Sequence, residues 1–348
     1  MSLSANASIL TVSGLCLTAG ERSFLADARP WGMILMGRSL QSRSQVRALV
    51  EEIWSAIGRE CLVFIDQEGG RVARLKPPEW PAFPKGCAYG ALHARDPGAG
   101  REAIYLAHRL MAHELYEIGI RADCAPVLDL PAPGGHEVIG DRALAGQTDA
   151  IAELGRAALQ GLADGGVAGV IKHIPGHGRA RSDSHLELPH VEAGLDALEA
   201  DFAPFAALSD APMAMTAHIA YDSIAPGEPA TLSKTVINDI IRTKIGFNGL
   251  LMTDDLEMKA LGGRLAERVS GALDAGCDMM LLALGLLSDP GEILARMRET
   301  AAATPDLSGE ALERAERADA AARPPRAFDP AAARERLDEL IPATGALA

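Results

Sequence analysis

Short apolar runs rich in β-branched residues, Leu and Met recur along this chain, each bounded by Gly, Asp, Asn or Pro and separated by longer stretches of helical periodicity. Eight can be marked, at residues 9–13, 32–36, 62–66, 121–127, 169–173, 211–217, 249–253 and 278–283. Between them, stretches such as 44–57, 100–118, 149–161 and 233–243 read as helices, the last opening on Ser233 as a cap. Parallel strands cannot be joined by a tight hairpin and need a crossover, usually a helix. The alternation therefore predicts an α/β fold with a parallel sheet, closed into a single eight-fold barrel. An open doubly wound sheet shares the pattern, but no GxGxxG follows the first strand to support a dinucleotide-binding version.

At 348 residues the chain exceeds the usual limit of one core, yet a barrel with insertions commonly fills this length. Residues 1–303 read as the barrel domain. Residues 304–348 read as a closing helix, over 311–322 at the surface, and an Ala-, Pro- and Arg-rich tail broken at Pro324-Pro325. A formal net charge of −14 repels phosphate backbones and anionic bilayers, so neither nucleic acid nor a membrane is an expected partner. Cys16, Cys61, Cys87, Cys124 and Cys277 lack CxxC spacing and are odd in number, which predicts reduced, mostly buried thiols. The first fourteen residues carry no basic segment followed by a long apolar one, and cytoplasmic residence is the expectation.

Chemically capable residues stand at the C-terminal ends of these runs: Asp66, Asp129, Lys172 with His173, His218, and Asp254 with Asp255. Parallel α/β folds place their sites there. The densest group is Lys172-His173-Ile174-Pro175-Gly176-His177-Gly178, followed by Asp183-Ser184-His185 and His190. A metal site is one reading, since His173 and His177 would share a helical face, but Pro175, Gly176 and Gly178 oppose a helix. A carboxylate two residues from an imidazole, as in Asp183-x-His185, can orient the ring and raise its basicity. In isolation, solvated loop residues would look the same.

Asp254 and Asp255 follow an apolar run directly. A helix cap suits Asp255 and leaves Asp254 as a candidate nucleophile or electrostatic stabiliser. In Asp66-Gln67-Glu68-Gly69-Gly70-Arg71-Val72-Ala73-Arg74, acceptors mix with bidentate donors, as sugar hydroxyls require; a tight Gly-Gly turn with surface ion pairs is the competing reading. His108 and His113 read as packing or surface residues of a helix, and Met213, Met215, Met279 and Met280 as core.

Taken in order, IDQEGGRVAR (65–74), IGDR (139–142), KHIPGHG (172–178), DSH (183–185) and TDDLEM (253–258) resemble the single-domain bacterial family-three glycoside hydrolases that act as β-N-acetylglucosaminidases. The resemblance spans about residues 10–285. It implies a TIM-type barrel and a retaining hydrolase without cofactor or metal. By position it makes Asp254 the nucleophile, His185 the acid/base and Asp183 its orienting partner, with Asp66, Arg74, Arg142, Lys172 and His173 binding the sugar. It further implies N-acetylglucosamine-containing muropeptide fragments of peptidoglycan recycling as substrate.

Two departures from that pattern stand out. Ile174 occupies a position where Phe is commoner, and Arg179-Ala180-Arg181 replaces acidic or small residues of the loop. The proline and glycines after Lys172 suggest a lid over the sugar. Competing readings are a β-glucosidase or β-xylosidase of the same family, a catalytically silent sugar-binding barrel, and a metal-dependent hydrolase on His173, His177 and His185.

Overall fold

The eight apolar runs become eight strands of one sheet in the computed structural model, which describes residues 4–342. They are β1 (Asn6–Leu10), β2 (Pro30–Ile34), β3 (Leu62–Ile65), β4 (Ala122–Asp123), β5 (Ala168–Ile174), β6 (Met213–Thr216), β7 (Leu250–Met252) and β8 (Met280–Leu281). Each pairs in parallel with its neighbour from β1 to β7, and β8 lies beside β1. A parallel bridge between Met252 and Met279 joins the remaining edges, so the sheet closes as a barrel.

The strands depart from the apolar runs where polar residues are buried or a proline interrupts the ladder. Asn6 and Ser8 are buried and bonded to each other, and the Asn6 amide donates to the Thr304 carbonyl at 2.6 Å, so β1 begins before its apolar run. The run at 121–127 pairs as a regular strand over only two residues, because Pro126 has no N–H to give the ladder.

Helices cover the outside: α1 (Ala19–Ala28), α2 (Arg43–Ile57), α3 (Gly86–His93), α4 (Pro97–Glu117), α5 (Thr148–Asp164), α6 (Leu195–Ala207), α7 (Leu265–Ala275) and α8 (Pro290–Ala303). The ends carry ordinary stop and start chemistry. Thr18 and Glu21 form a capping box, Ser42 accepts from the Gln45 amide, and Gly58 closes α2 in the left-handed region. The expected helix after Ser233 is a nine-residue π-helix, Val236–Lys244.

Two clusters divide the core. Inside the barrel lie Ile9, Ile34, Leu62, Phe64, Val170, Met213, Met215, Met252, Met279 and Leu281; between barrel and helices lie Leu10, Met33, Val63, Ile65, Ile171, Ala214 and Leu251. This is the period of two that a pleated strand imposes. The interior group also takes Ala315 and Ala318 of α9 (Gly309–Asp319), and Trp31 Nε1 donates to Asp319 at 3.3 Å. The helix read as a surface element thus buries one face against the N-terminal end of the barrel. Beyond it, α10 (Pro330–Leu340) buries Ala333 and Leu337 and pairs Arg336 with Glu102 of α4. Among the described residues no helix is long and apolar enough to cross a membrane.

Candidate active site

The inward parity of three strands runs on into the mouth of the barrel. Leu62 and Phe64 are followed by Asp66, Ala168 and Val170 by Lys172, and Leu250 and Met252 by Asp254. Each polar residue is two places beyond the last apolar interior one, so the strand that builds the core also aims a charge along its axis.

Lys172 is almost wholly buried and donates to Asp66 at 3.0 Å and to Glu68 at 2.7 Å. Arg74 adds a 2.9 Å bond to Asp66, and Arg142 grips Glu68 with two bonds of 2.8 Å. Burial pushes both carboxyls upward, but the opposing cations win. Lys172 and Arg74 hold Asp66 far below its usual range, and Arg142 and Lys172 bring Glu68 down to about 2. For Lys172 the same balance runs the other way: desolvation favours the neutral amine, yet Asp66 and Glu68 keep it charged. Charges buried in this way are tolerated because every one has a partner.

Glu68 gets there through a short hairpin, Gln67–Gly69 against Val72–Ala73. Gly69 and Gly70 both have positive φ, and a Cβ on Gly69 would lie 2.4 Å from the Pro84 carbonyl oxygen. The tight Gly-Gly turn is therefore real, and so is its surface pair, Arg71 with Asp141 at 2.9 Å. Glu68 itself was not singled out in the sequence, where it looks like one more acid of a turn.

A second group centres on Asp129. Its Oδ2 lies 2.7 Å from His173 Nδ1, and its Oδ1 accepts the backbone N–H groups of His173 and His177 at 3.1 and 2.7 Å. Burial would raise this carboxyl, but His173 and the other donors bring it to about 2. An ionised carboxylate only accepts, so Nδ1 of His173 carries the proton. His177 is buried, and desolvation followed by the nearby His173 pushes its ring down to about 4. His173 and His177 do not share a helix, and among the described residues no group of three or more His, Cys, Asp or Glu is arranged to hold a metal ion.

Asp254 is half-buried. Its Oδ1 accepts the Asp255 amide at 2.7 Å, and its Oδ2 takes no hydrogen bond from the described residues. Burial opposes ionisation, but His218 and then His173 outweigh it and keep the carboxyl below its usual range. Asp255 is occupied elsewhere, accepting the amides of Glu257, Ala283 and Leu284 at 3.0 to 3.2 Å. It ties the β7 loop to the end of β8 instead of capping a helix, and burial raises it to about 6. His218, noted only as a strand-end residue, donates through Nε2 to the Asp255 carbonyl at 3.2 Å and has Nδ1 2.7 Å from Thr231 Oγ1.

His185 stands apart, with 54% of its side chain exposed. Its Nδ1 and its backbone N–H both meet Asp183 Oδ1, at 2.8 and 2.9 Å. The carboxylate therefore fixes the Nδ1–H tautomer and leaves Nε2 free to give or take a proton. The base of this loop is firmer than its glycines suggest. A Cβ on Gly178 would come 1.8 Å from the Leu130 carbonyl oxygen, and the Gly176 carbonyl accepts from the Tyr221 hydroxyl. These glycines serve close packing; the exposed stretch begins only at Arg181. Arg179 turns away to the buried Asp201 at 2.6 Å. Ile174 is completely buried.

A barrel whose mouth pairs polar acceptors with bidentate cations, beside one carboxylate with an unoccupied oxygen and one imidazole with an unoccupied nitrogen, has the parts of a glycosidase. Residues 10–301 match the Glycosyl hydrolase family 3 N terminal domain, and the chain belongs to that family. Among its relatives, the Beta-hexosaminidase of Alkalilimnicola ehrlichii is 40% identical over 279 residues, covering 79% of each chain. The native structure of NagZ from Neisseria gonorrhoeae superposes with a TM-score of 0.84 at 31% identity, over 97% of this chain and 98% of that one. NagZ of the same organism in complex with N-trifluoroacetyl-D-glucosamine gives a TM-score of 0.81 at 31% identity, over 96% and 94%.

Proposed function

We propose that the chain, a β-N-acetylhexosaminidase of family 3, removes terminal N-acetylglucosamine with retention, through a covalent intermediate on Asp254. One observation carries the reading: Asp254 opens on the barrel mouth with a free oxygen, while His185 has its Nδ1 committed to Asp183 and its Nε2 free. The similarity to an enzyme solved with an N-acylated glucosamine supports the choice of sugar.

In the first step an Asp254 oxygen would form a bond to C1 as the C1–O bond to the leaving group breaks. His185, entering as the imidazolium with Asp183 balancing its charge, would pass its Nε2 proton to the departing oxygen and become the neutral Nδ1–H tautomer. Asp183 would stabilise the imidazolium before this transfer and hold the Nδ1–H tautomer after it. In the second step water would attack C1, give its proton to Nε2 and return Asp254 as a carboxylate. Asp66, Arg74, Arg142, Lys172 and His173 would hold the sugar hydroxyls and acetamido group from the floor of the mouth. Peptidoglycan fragments in the cytoplasm are the substrates that go with the family resemblance.

The test compares an aryl β-N-acetylglucosaminide with the corresponding aryl β-glucoside, and uses a slow fluorinated N-acetylglucosaminide to trap the enzyme. Strong preference for the first substrate and a label on Asp254 are expected. Equal rates would return the chain to the β-glucosidase reading. A label on Asp255 would move the nucleophile, and failure to label would favour attack by the acetamido oxygen.

A further inference from the structure

From residue 181 to 187 the loop bearing Asp183 and His185 contains a single buried residue, Ser184, which is 3% exposed. The dyad is internally bonded: Asp183 Oδ1 accepts from His185 twice, and its carbonyl accepts the amides of Leu186 and Glu187. None of those bonds leaves the loop. Among the described residues, the two that do both belong to Ser184. Its Oγ lies 3.2 Å from His177 Nε2, and its carbonyl accepts the Ala260 amide at 3.1 Å.

The two outer ends of this attachment lie in the barrel mouth's own segments. His177 is bolted through its backbone to Asp129, the carboxylate that also orients His173. Ala260 belongs to the loop that follows Asp254. The His177 ring reaches the loop through one nitrogen. Its Nε2 meets the Ser184 hydroxyl, and its Nδ1 is buried with no hydrogen-bond partner among the described residues.

We propose that His177 and Ser184 form a latch that sets where the Asp183–His185 pair stands over the sugar, and that releasing it frees the exposed 181–187 segment to move. His177 and Ser184 are positioning residues, acting through His185; the inference rests on His185 being the acid/base. A tether on the one buried residue suits a part that must hold one geometry during proton transfer and still let water enter afterwards.

Ser184→Ala removes the hydroxyl but keeps the Ala260 bond, at a loop position where folding is not at stake. It should lower kcat on an unactivated N-acetylglucosaminide by about 10²-fold, the effect of misplacing a catalytic group by about 1 Å. The same variant should leave the glycosylation rate with a dinitrophenyl leaving group, which needs no proton, near wild type. His177→Gln, which can present an amide N–H near the Nε2 position, should recover part of the loss seen in His177→Leu. His185→Ala serves as reference in both assays. A leaving-group split in His185→Ala without one in Ser184→Ala overturns the latch alone. No split in His185→Ala removes the acid/base role and the latch with it. Equal losses of Ser184→Ala on both substrates would show a merely structural contact.

Discussion

The floor of the barrel mouth and the loop above it hold charged groups in opposite ways. On the floor, Lys172, Asp66, Glu68, Arg74 and Arg142 are tied into one network, with the Lys172 and Glu68 side chains only 3% and 7% exposed. On the loop, His185 is more than half exposed, and its charge partner is two residues away in the same segment. The floor's geometry is thus set by partners from three separate stretches of chain, whereas the loop carries its own pair and borrows only its placement from the barrel. Removing a floor charge takes a partner from a buried counter-charge; removing a loop charge leaves a solvated one. The floor should therefore govern stability and sugar binding, and the loop should govern rate.

The largest expected effect lies on the loop. His185→Ala should lose about 10²–10⁴-fold on an unactivated disaccharide and far less in glycosylation from a dinitrophenyl glycoside, since only the former leaving group needs protonation. Its deglycosylation should be slow, and azide, which needs no base, should speed turnover and yield a β-glycosyl azide. The same loss on both substrates without azide rescue would blur the two regions into one.

Lys172→Met reads the floor. With Asp66 and Glu68 left to Arg74 and Arg142, we expect a loss of about 3 kcal/mol in chemical denaturation, the lower end for breaking a buried pair. Stability within about 0.5 kcal/mol of wild type would mean that the network is not what holds the mouth together.

Asp183→Asn should do the converse. An orienting partner of this kind is worth about 10–100-fold, so kcat should fall by that factor with the unfolding midpoint and inhibitor affinity unchanged. A wild-type rate and pH optimum would dissolve the dyad.

The smallest effect is a slope. Glu68 sits at about 2 in the folded chain against about 4.3 unfolded, so its stabilisation is complete above the unfolded value and lost as pH falls towards about 2. Within that window Glu68→Gln should flatten the dependence of stability on pH by up to one proton, whatever its absolute stability. Unchanged slopes would show that the charge is not held by folding.

Parts of this arrangement were legible because they follow from short-range rules. The eight strands announce themselves by apolar runs, and Asp66, Lys172 and Asp254 continue the period of two that marks the barrel interior. The Asp183–His185 contact spans two residues, so its spacing suggested it, although solvated loop residues would show the same spacing. Glu68 could not, because its partner Arg142 lies 74 positions away and only the Gly69-Gly70 hairpin brings them together. Ala315 and Ala318 gave no hint of their burial, since small residues on a helix look alike whether they face water or the end of a barrel.

Local sequence determined which residues are strands, which polar groups leave the strand ends, and that an imidazole and a carboxylate share one loop, because backbone sterics and hydrophobic periodicity act over a few residues. Tertiary structure alone decided the rest. It made Asp255 a brace for β8 and left Asp254 open. It turned the glycines after Lys172 into packing positions, and it gave His177 to Ser184. Each of these depends on which distant group closes off water from a donor or a charge, and that is a property of the closed barrel rather than of any segment within it.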